Sequence, residues 1–156
     1  MYVKGVLCLR ISAKGRYAIA STISLAELYK IGEYISLITL SEKLGISKIY
    51  LEQVFSLLKH GDIVISVKGS KGGYQLSRMP MEITVMDILM TTELSLFEPA
   101  AETVNEKAPE IDDTIRDDVF AVLDDVVKTT LSEITLADLL EGAQKRKGIE
   151  GLMYYI

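Results

Sequence analysis

Residues 39–77, TLSEKLGISKIYLEQVFSLLKHGDIVISVKGSKGGYQLS, decide the fold of this 156-residue chain. The first seven of them, Thr39–Gly45, predict a short helix, because Glu42 has the spacing of a capping box and a glycine ends the pattern. Ser47 is then placed to cap a second helix, Lys48–His60. Two helices joined by about three residues that include Gly and Ser are typical of a helix-turn-helix.

The second helix is apolar around most of its circumference. Its apolar residues are Ile49, Leu51, Val54, Phe55, Leu57 and Leu58. Leu51, Val54 and Leu58 are expected to face the core. Gly61 is expected at the left-handed position that follows the end of the helix.

Residues 63–77 change period from helix to strand. The runs Ile63–Val67 and Tyr74–Ser77 flank a glycine-rich tip, Lys68–Gly73, which predicts a two-stranded hairpin. A ribbon directly after a recognition helix is typical of the wing of a winged helix, and its two lysines suit contact with phosphates or the minor groove. A nucleotide-binding P-loop is not favoured, because this tip leads into a strand rather than a helix.

One helix is predicted on each side of this unit. Ser12–Tyr29 and Thr84–Glu93 each begin with a hydroxyl residue suited to N-capping. The second of these helices is expected to turn three residues inward, namely Val85, Ile88 and Leu89. Together these elements predict a winged helix-turn-helix domain over residues 10–93.

The rest of the chain predicts a mobile loop over residues 94–109 and a C-terminal region over residues 110–147. A long helix, Glu110–Leu131, has an apolar face and many Asp residues opposite, and its length is about 30 Å. A last short helix is expected over Thr135–Gln144. The basic triplet 145–147 after it is expected to be a solvated helix end.

The apolar face of the long helix needs a partner. This face could pack back on its own head or against the same helix of a second chain. Two-fold dimers are common among oligomers, and their symmetry suits palindromic DNA sites. A homodimer is therefore favoured, with the contact through Ile115, Val119, Val122 and Val126. The predicted fold class is mainly α with a small β-hairpin: a winged helix-turn-helix head and a long C-terminal dimerisation helix.

The charge of the chain differs between its two parts. Residues 1–80 contain 11 Lys and Arg but 5 Asp and Glu, a net charge of +6, whereas residues 81–156 contain 6 and 17, a net charge of −11. This asymmetry is consistent with a part that faces nucleic acid, although charge alone fits two solvated faces equally well.

Composition excludes several classes of protein. Hydrophobic residues make up 49% and charged residues 25%, as in an ordinary globular protein, and no apolar run approaches the roughly 20 residues of a membrane span. With no signal-peptide pattern, a cytoplasmic location is expected. One Cys and one His, His60, cannot supply a soft-metal site, and no catalytic constellation stands out, so neither a cofactor nor an enzyme is expected.

Three motifs together resemble the Rrf2 family of bacterial transcription regulators: Ile11–Ala18, Tyr50–Phe55 and Lys68–Leu76. The resemblance is close over residues 10–93 and extends in layout to residue 147. It implies a homodimer that binds double-stranded DNA, with the recognition helix in the major groove and the wing in the minor groove. It also implies that the chain represses or activates promoters, and repression is our expectation.

The residue chemistry agrees with that implication. Glu52 and Gln53 can read cytosine through its N4 donor and adenine through its N6 and N7 edge. The other expected DNA contacts are Lys14, Arg16, Lys48, Tyr50, Lys68, Lys71, Gly72 and Gly73. Tyr50 is equally well explained as a half-buried core aromatic, and Glu52 alternatively as a solvent-facing helix charge.

The loop departs from part of the family. Cluster-binding members have three closely spaced cysteines there, and this loop has none, so the iron–sulfur function is not carried over. Its scattered acids, Glu98, Glu102 and Glu106, are expected to be solvated rather than cation ligands. The chain resembles the cluster-free branch, for which a regulatory partner protein is one possible route of control.

The N-terminus departs as well, because family members typically begin where Leu9 stands. We hypothesise that translation starts at Leu9, which would make residues 1–8, including Cys8, non-native.

A protein-interaction adaptor that has lost DNA readout is the alternative function. The polar residues Lys48, Glu52 and Gln53 on the recognition helix argue against that alternative.

Overall fold

The computed structural model describes residues 11–29, 32–99 and 101–153 of the chain. In order, its helices and strands are α1 Ala13–Leu28, α2 Leu37–Leu44, α3 Lys48–His60, β1 Val64–Val67, β2 Gly73–Leu76, α4 Val85–Thr92, α5 Pro109–Ile115, α6 Ala121–Glu133 and α7 Leu136–Met153. The hypothesis that translation starts at Leu9 and the expectations for Cys8 lie outside the described residues.

Helix α2 begins earlier than its sequence pattern predicts. The Ser36 side chain accepts a hydrogen bond from the Thr39 amide at 3.1 Å, so Ser36 is the N-cap and the predicted capping box of Thr39 is wrong. The earlier start places Leu37 and Leu40 on one face, where both are buried. Gly45 ends the helix with φ 66°, as predicted.

Helix α3 has the predicted bounds and the predicted Ser47 cap, but its C-terminal end differs. Gly61 has φ −88°, and the left-handed residue is Asp62, with φ 56°. Asp residues tolerate this conformation better than most. The absence of a side chain at residue 61 is explained by packing, because a Cβ there would collide with the Thr91 methyl and lie 3.3 Å from Thr91 Cβ.

The hairpin is antiparallel and is attached to the helix-turn-helix by a short bridge. Val64 pairs with Leu76 and Val67 with Gly73. The amide of Ile35 donates to the Tyr74 carbonyl, and the Tyr74 amide donates back to the Ile35 carbonyl, both at 2.9 Å. The segment that precedes α2 therefore acts as a third strand-like edge and fixes the wing to the head.

The core of the head is built around α3. Leu51, Val54, Phe55 and Leu58 are all fully buried. The Phe55 ring lies 4.7 Å from the Tyr74 ring, so the recognition helix packs directly against β2. The three inward residues predicted for α4, Val85, Ile88 and Leu89, are buried as well. This arrangement confirms the predicted winged helix-turn-helix head.

Helix α7 packs on the head, where it contacts α1. Leu136 is fully buried in the head core, and its amide donates to the Ile83 carbonyl at 2.8 Å. The helix also continues to Met153, beyond the predicted end at Gln144. The triplet 145–147 therefore lies inside a helix rather than at its end. The ion pair of Lys145 with Glu141 is one physical reason, since pairs four residues apart stabilise helices.

The predicted long helix spans α5 and α6, with a π-helical turn at Arg116–Phe120 between them. Helix α6 contacts α4. Most of the apolar side chains of the long helix nevertheless remain exposed in the single protomer: Ile111, Val119, Phe120, Val122, Leu123 and Val126. Among the helices of the described ranges, none combines the length and apolar character needed to cross a membrane.

Candidate nucleic-acid interface

The solvent-facing side of α3 is formed by Ile49, Glu52, Gln53 and Ser56, which are all exposed. Residues three, four and seven positions apart share one face of a helix. We call these four residues the recognition face. The Lys48 ammonium lies 3.3 Å from the Glu52 carboxylate, and both side chains are about half exposed. Glu52 and Gln53 are therefore accessible to a ligand on this side of α3, and Lys48 lies beside them.

Ile49 is the exception among the apolar residues of α3. It is not among the residues expected to face the core, and 72% of its surface is exposed. Its neighbours Leu51, Val54 and Phe55 occupy the buried side of the helix. The signal was present in the spacing, since Ile49 precedes Glu52 and Gln53 by three and four residues.

Tyr50 is half-buried and packs edge to face against Tyr17, with the ring centroids 5.2 Å apart. It is therefore a packing residue between α1 and α3, and a phosphate contact by Tyr50 stays a prediction. This contact joins α1 to the start of α3. In the first turn of α1, Lys14 is partly buried and Arg16 is exposed.

The start of α1 is fixed by Glu93, which no local sequence pattern marks. The buried Glu93 carboxylate accepts hydrogen bonds from the Ser12 amide, at 3.0 Å, and from the Ser12 hydroxyl. Gly15 leaves room for this carboxylate, since a Cβ there would collide with Glu93 and lie 2.7 Å from Ile11 Cγ2. The end of α4 thus positions the basic first turn of α1.

The wing tip presents Lys68 and Lys71, which are both exposed. Gly72 has no room for a side chain, because a Cβ would lie 2.9 Å from the Lys68 carbonyl carbon. Gly73 is equally restricted by the Ile35 backbone. These two glycines bring the strands close together and leave the lysines at the tip of the ribbon.

The loop before α5 is held by Asp112, whose carboxylate accepts the amides of Thr103, at 2.9 Å, and Val104, at 3.0 Å. These hydrogen bonds, first that of Val104 and then that of Thr103, lower the pKa of Asp112 below its usual value, and Arg116 adds to the effect. The carboxylate therefore stays ionised and keeps its hold on the loop at neutral pH.

The residues of this loop do not fit an iron–sulfur cluster. Between residues 94 and 109 there is neither Cys nor His, and such a cluster needs thiolate or imidazole ligands. Glu98, Glu102 and Glu106 are exposed, and Glu102 accepts a hydrogen bond from Asn105 at 2.8 Å. In the described part of the chain, no three Asp, Glu, His or Cys side chains come together as a metal site.

We expect Asp112→Ala to release the loop. Both amides would lose their acceptor, so their hydrogen exchange, measured by NMR and corrected for intrinsic rates, should become faster than in the wild type. Because a lowered pKa means that the ionised form persists, wild-type protection should be kept at mildly acidic pH and lost only when Asp112 is protonated. Asp125→Ala, at an exposed position of α6, is the control. Unchanged exchange in Asp112→Ala would show that Asp112 does not anchor the loop.

Residues 11–142 match the model of the Rrf2 family, which is described as an iron-dependent transcriptional regulator. The transcriptional regulator CymR of Bacillus subtilis is 35% identical over 151 residues, covering 95% of this chain and 100% of the relative. A helix-turn-helix regulator of Azotobacter vinelandii is 43% identical over 81 residues, which is 52% of this chain and 49% of the relative. This second match therefore spans only about half the length of the relative.

Solved structures agree with these matches. The structure of CymR, described as the global cysteine regulator of B. subtilis, has a TM-score of 0.70 and 31% identity, and covers 86% of this chain and 98% of CymR. IscR of T. potens has a TM-score of 0.71 and 32% identity, and covers 97% of this chain and 100% of that protein. With its winged head, its long helix and these matches, the chain belongs to the Rrf2 family of helix-turn-helix transcriptional regulators.

Proposed function

We propose that the chain acts as a homodimer that binds a pseudo-palindromic operator and represses transcription in the cytoplasm, without an iron–sulfur cluster. The recognition face carries this proposal, because it exposes Glu52 and Gln53 on a helix whose other side is fully packed. A winged helix-turn-helix presents such a face to the major groove. A helix that had lost DNA readout would be expected to have lost its base-reading groups, and this helix retains both Glu52 and Gln53.

The expected base contacts follow from the side-chain chemistry. Gln53 can donate to N7 and accept from N6 of adenine in a bidentate contact, and Glu52 can accept from N4 of cytosine. The Lys48 ammonium lies 3.3 Å from the Glu52 carboxylate and is about half exposed, so it would contact a phosphate beside the base that Glu52 reads. Each protomer would thus read one half-site.

Phosphate contacts would set the position of the protein on the duplex. The proposed contributors are Lys14, Arg16, Lys48, Tyr50, Lys68, Lys71 and the backbone of Gly72 and Gly73. The proposed dimer contact is formed by Ile115, Val119, Val122 and Val126. Since the loop lacks cluster ligands, we propose that the regulatory signal arrives by another route, with a regulatory partner protein as the candidate.

The first experiment selects binding sites from a random duplex pool with the wild type and with Gln53→Ala. We expect the wild type to enrich an inverted repeat. Gln53→Ala should lose the preference at one base pair of each half-site, with an affinity loss of about 1–3 kcal/mol per lost contact. A wild type that binds all sequences equally would instead favour the adaptor.

Salt dependence tests the wing separately. Lys71→Ala should weaken binding to every sequence evenly and lower the slope of log affinity against log salt by about one per phosphate contact. Lys107→Ala, at an exposed position of the loop, removes the same charge away from the proposed interface and is the control. Equal slopes in the wild type and Lys71→Ala would exclude a phosphate contact by Lys71.

A further inference from the structure

Among the side chains that the structure describes, those of residues 11–29, 32–99 and 101–149, Ile49 is the most exposed large hydrophobic one. It is the second residue of α3, directly after Lys48. Its exposure is not explained by folding, because a β-branched residue favours a helix less than alanine does, and a side chain in solvent buries little apolar surface. The protein therefore holds an apolar group outward at the start of its recognition helix.

The position of Ile49 connects it to base reading. It lies one helical turn before Glu52 and Gln53 on the recognition face. In helix-turn-helix proteins the N-terminal residues of the second helix contact the edges of the bases. One turn advances about 5.4 Å and one base pair about 3.4 Å, so Ile49 would meet a base about one to two pairs from the one that Gln53 contacts.

The chemistry of the major groove then selects the base. Guanine, adenine and cytosine present hydrogen-bond donors and acceptors there, and an isoleucine placed against them would remove water without replacing its hydrogen bonds. Thymine alone presents an apolar group, the C5 methyl. Building on the proposed function, we infer that Ile49 is a specificity-determining residue that recognises a thymine methyl in each half-site.

The test changes that methyl group alone. In the operator enriched by the wild type, each thymine is replaced in turn by deoxyuridine, which lacks only the methyl. At one position per half-site, the wild type should lose about fourfold in affinity, the loss expected for one buried methyl-sized group. Ile49→Ala should be insensitive to deoxyuridine at that position. When Ile49→Ala is used to select sites from the random duplex pool, the selected sites should show no preference for thymine at that position. They should still show the base preference that Gln53 sets.

Two controls separate the outcomes. Ile149→Ala removes an isoleucine that is 59% exposed on α7, and it should respond to deoxyuridine as the wild type does. Both variants should keep the wild-type melting temperature, since neither side chain is packed. Equal deoxyuridine sensitivity in the wild type and Ile49→Ala, or none in the wild type, would overturn the inference and leave the proposed function intact. Failure of the wild type to enrich any site would overturn both.

Discussion

Replacing Val122 and Val126 together by aspartate is expected to convert the protein into a folded monomer with little affinity for its operator. Each substitution would bring an unpaired carboxylate into an apolar contact between protomers. The cost of burying such a charge is several kcal/mol, so the dimer dissociation constant should rise by at least about a thousandfold. Sedimentation equilibrium over a range of concentrations measures this change directly.

The prediction follows from how the long helix is packed within one protomer. Val122 and Val126 are 54% and 56% exposed, on the same side of α6 as Leu123. Because they contribute little to the protomer core, the variant should keep the wild-type circular dichroism spectrum. Ser132→Asp adds a carboxylate at an exposed position of α6 that lies about 100° around the helix from the Val122 and Val126 side, and it should leave the dimer intact.

The loss of DNA affinity should exceed the loss of any single contact. In a dimer, binding of one half-site places the second recognition helix beside the other half-site at a high effective concentration. A monomer lacks this advantage and should bind one half-site weakly. A double aspartate variant that remains a dimer would show that another surface joins the protomers.

The local signals in the sequence predict much of the head. The bounds of α3 follow from Ser47 and the periodic apolar residues after it. The wing follows from the glycines between the β-branched run Ile63–Val67 and the run Tyr74–Ser77. The start of α2 does not follow, because Ser36 and Thr39 are both good caps three residues apart. The choice between them depends on the burial of Leu37, which is a tertiary effect.

Contacts between distant residues explain the other differences. Glu93 accepts a hydrogen bond from Ser12, which is 81 residues away in sequence, and no local pattern indicates that pairing. The attachment of α7 through Leu136 and Ile83 is equally non-local. The outward position of Ile49, by contrast, follows from its helical spacing to Glu52 and Gln53.

The second large effect is expected for Gly73→Ala, which should destabilise the whole head. A Cβ at residue 73 would lie 2.6 Å from the carbonyl carbon of Ile35 and 3.0 Å from the Ser36 amide nitrogen. These are backbone atoms and cannot rotate away. The wing must therefore move, which breaks the two hydrogen bonds between Ile35 and Tyr74.

The displacement also reaches the core. Tyr74 packs against Phe55 of the recognition helix, and Ser36 caps α2, so both helices of the helix-turn-helix lose a contact. The loss of two backbone hydrogen bonds and the overpacking should together lower the free energy of unfolding by about 3 kcal/mol. For a chain of this size, that corresponds to a fall in the melting temperature of roughly 6–12 °C.

Two neighbouring variants make this prediction specific. In Gly72→Ala the collision is with Val67 and Lys68, inside the hairpin turn itself, so DNA binding should weaken with a smaller loss of stability. Ser70→Ala, at the exposed tip, should change neither DNA binding nor stability. If Gly73→Ala melted at the wild-type temperature, the pairing of Ile35 with Tyr74 would not be what fixes the wing to the head. In that case the orientation of the wing towards DNA would have to depend on its packing against α1 and α3.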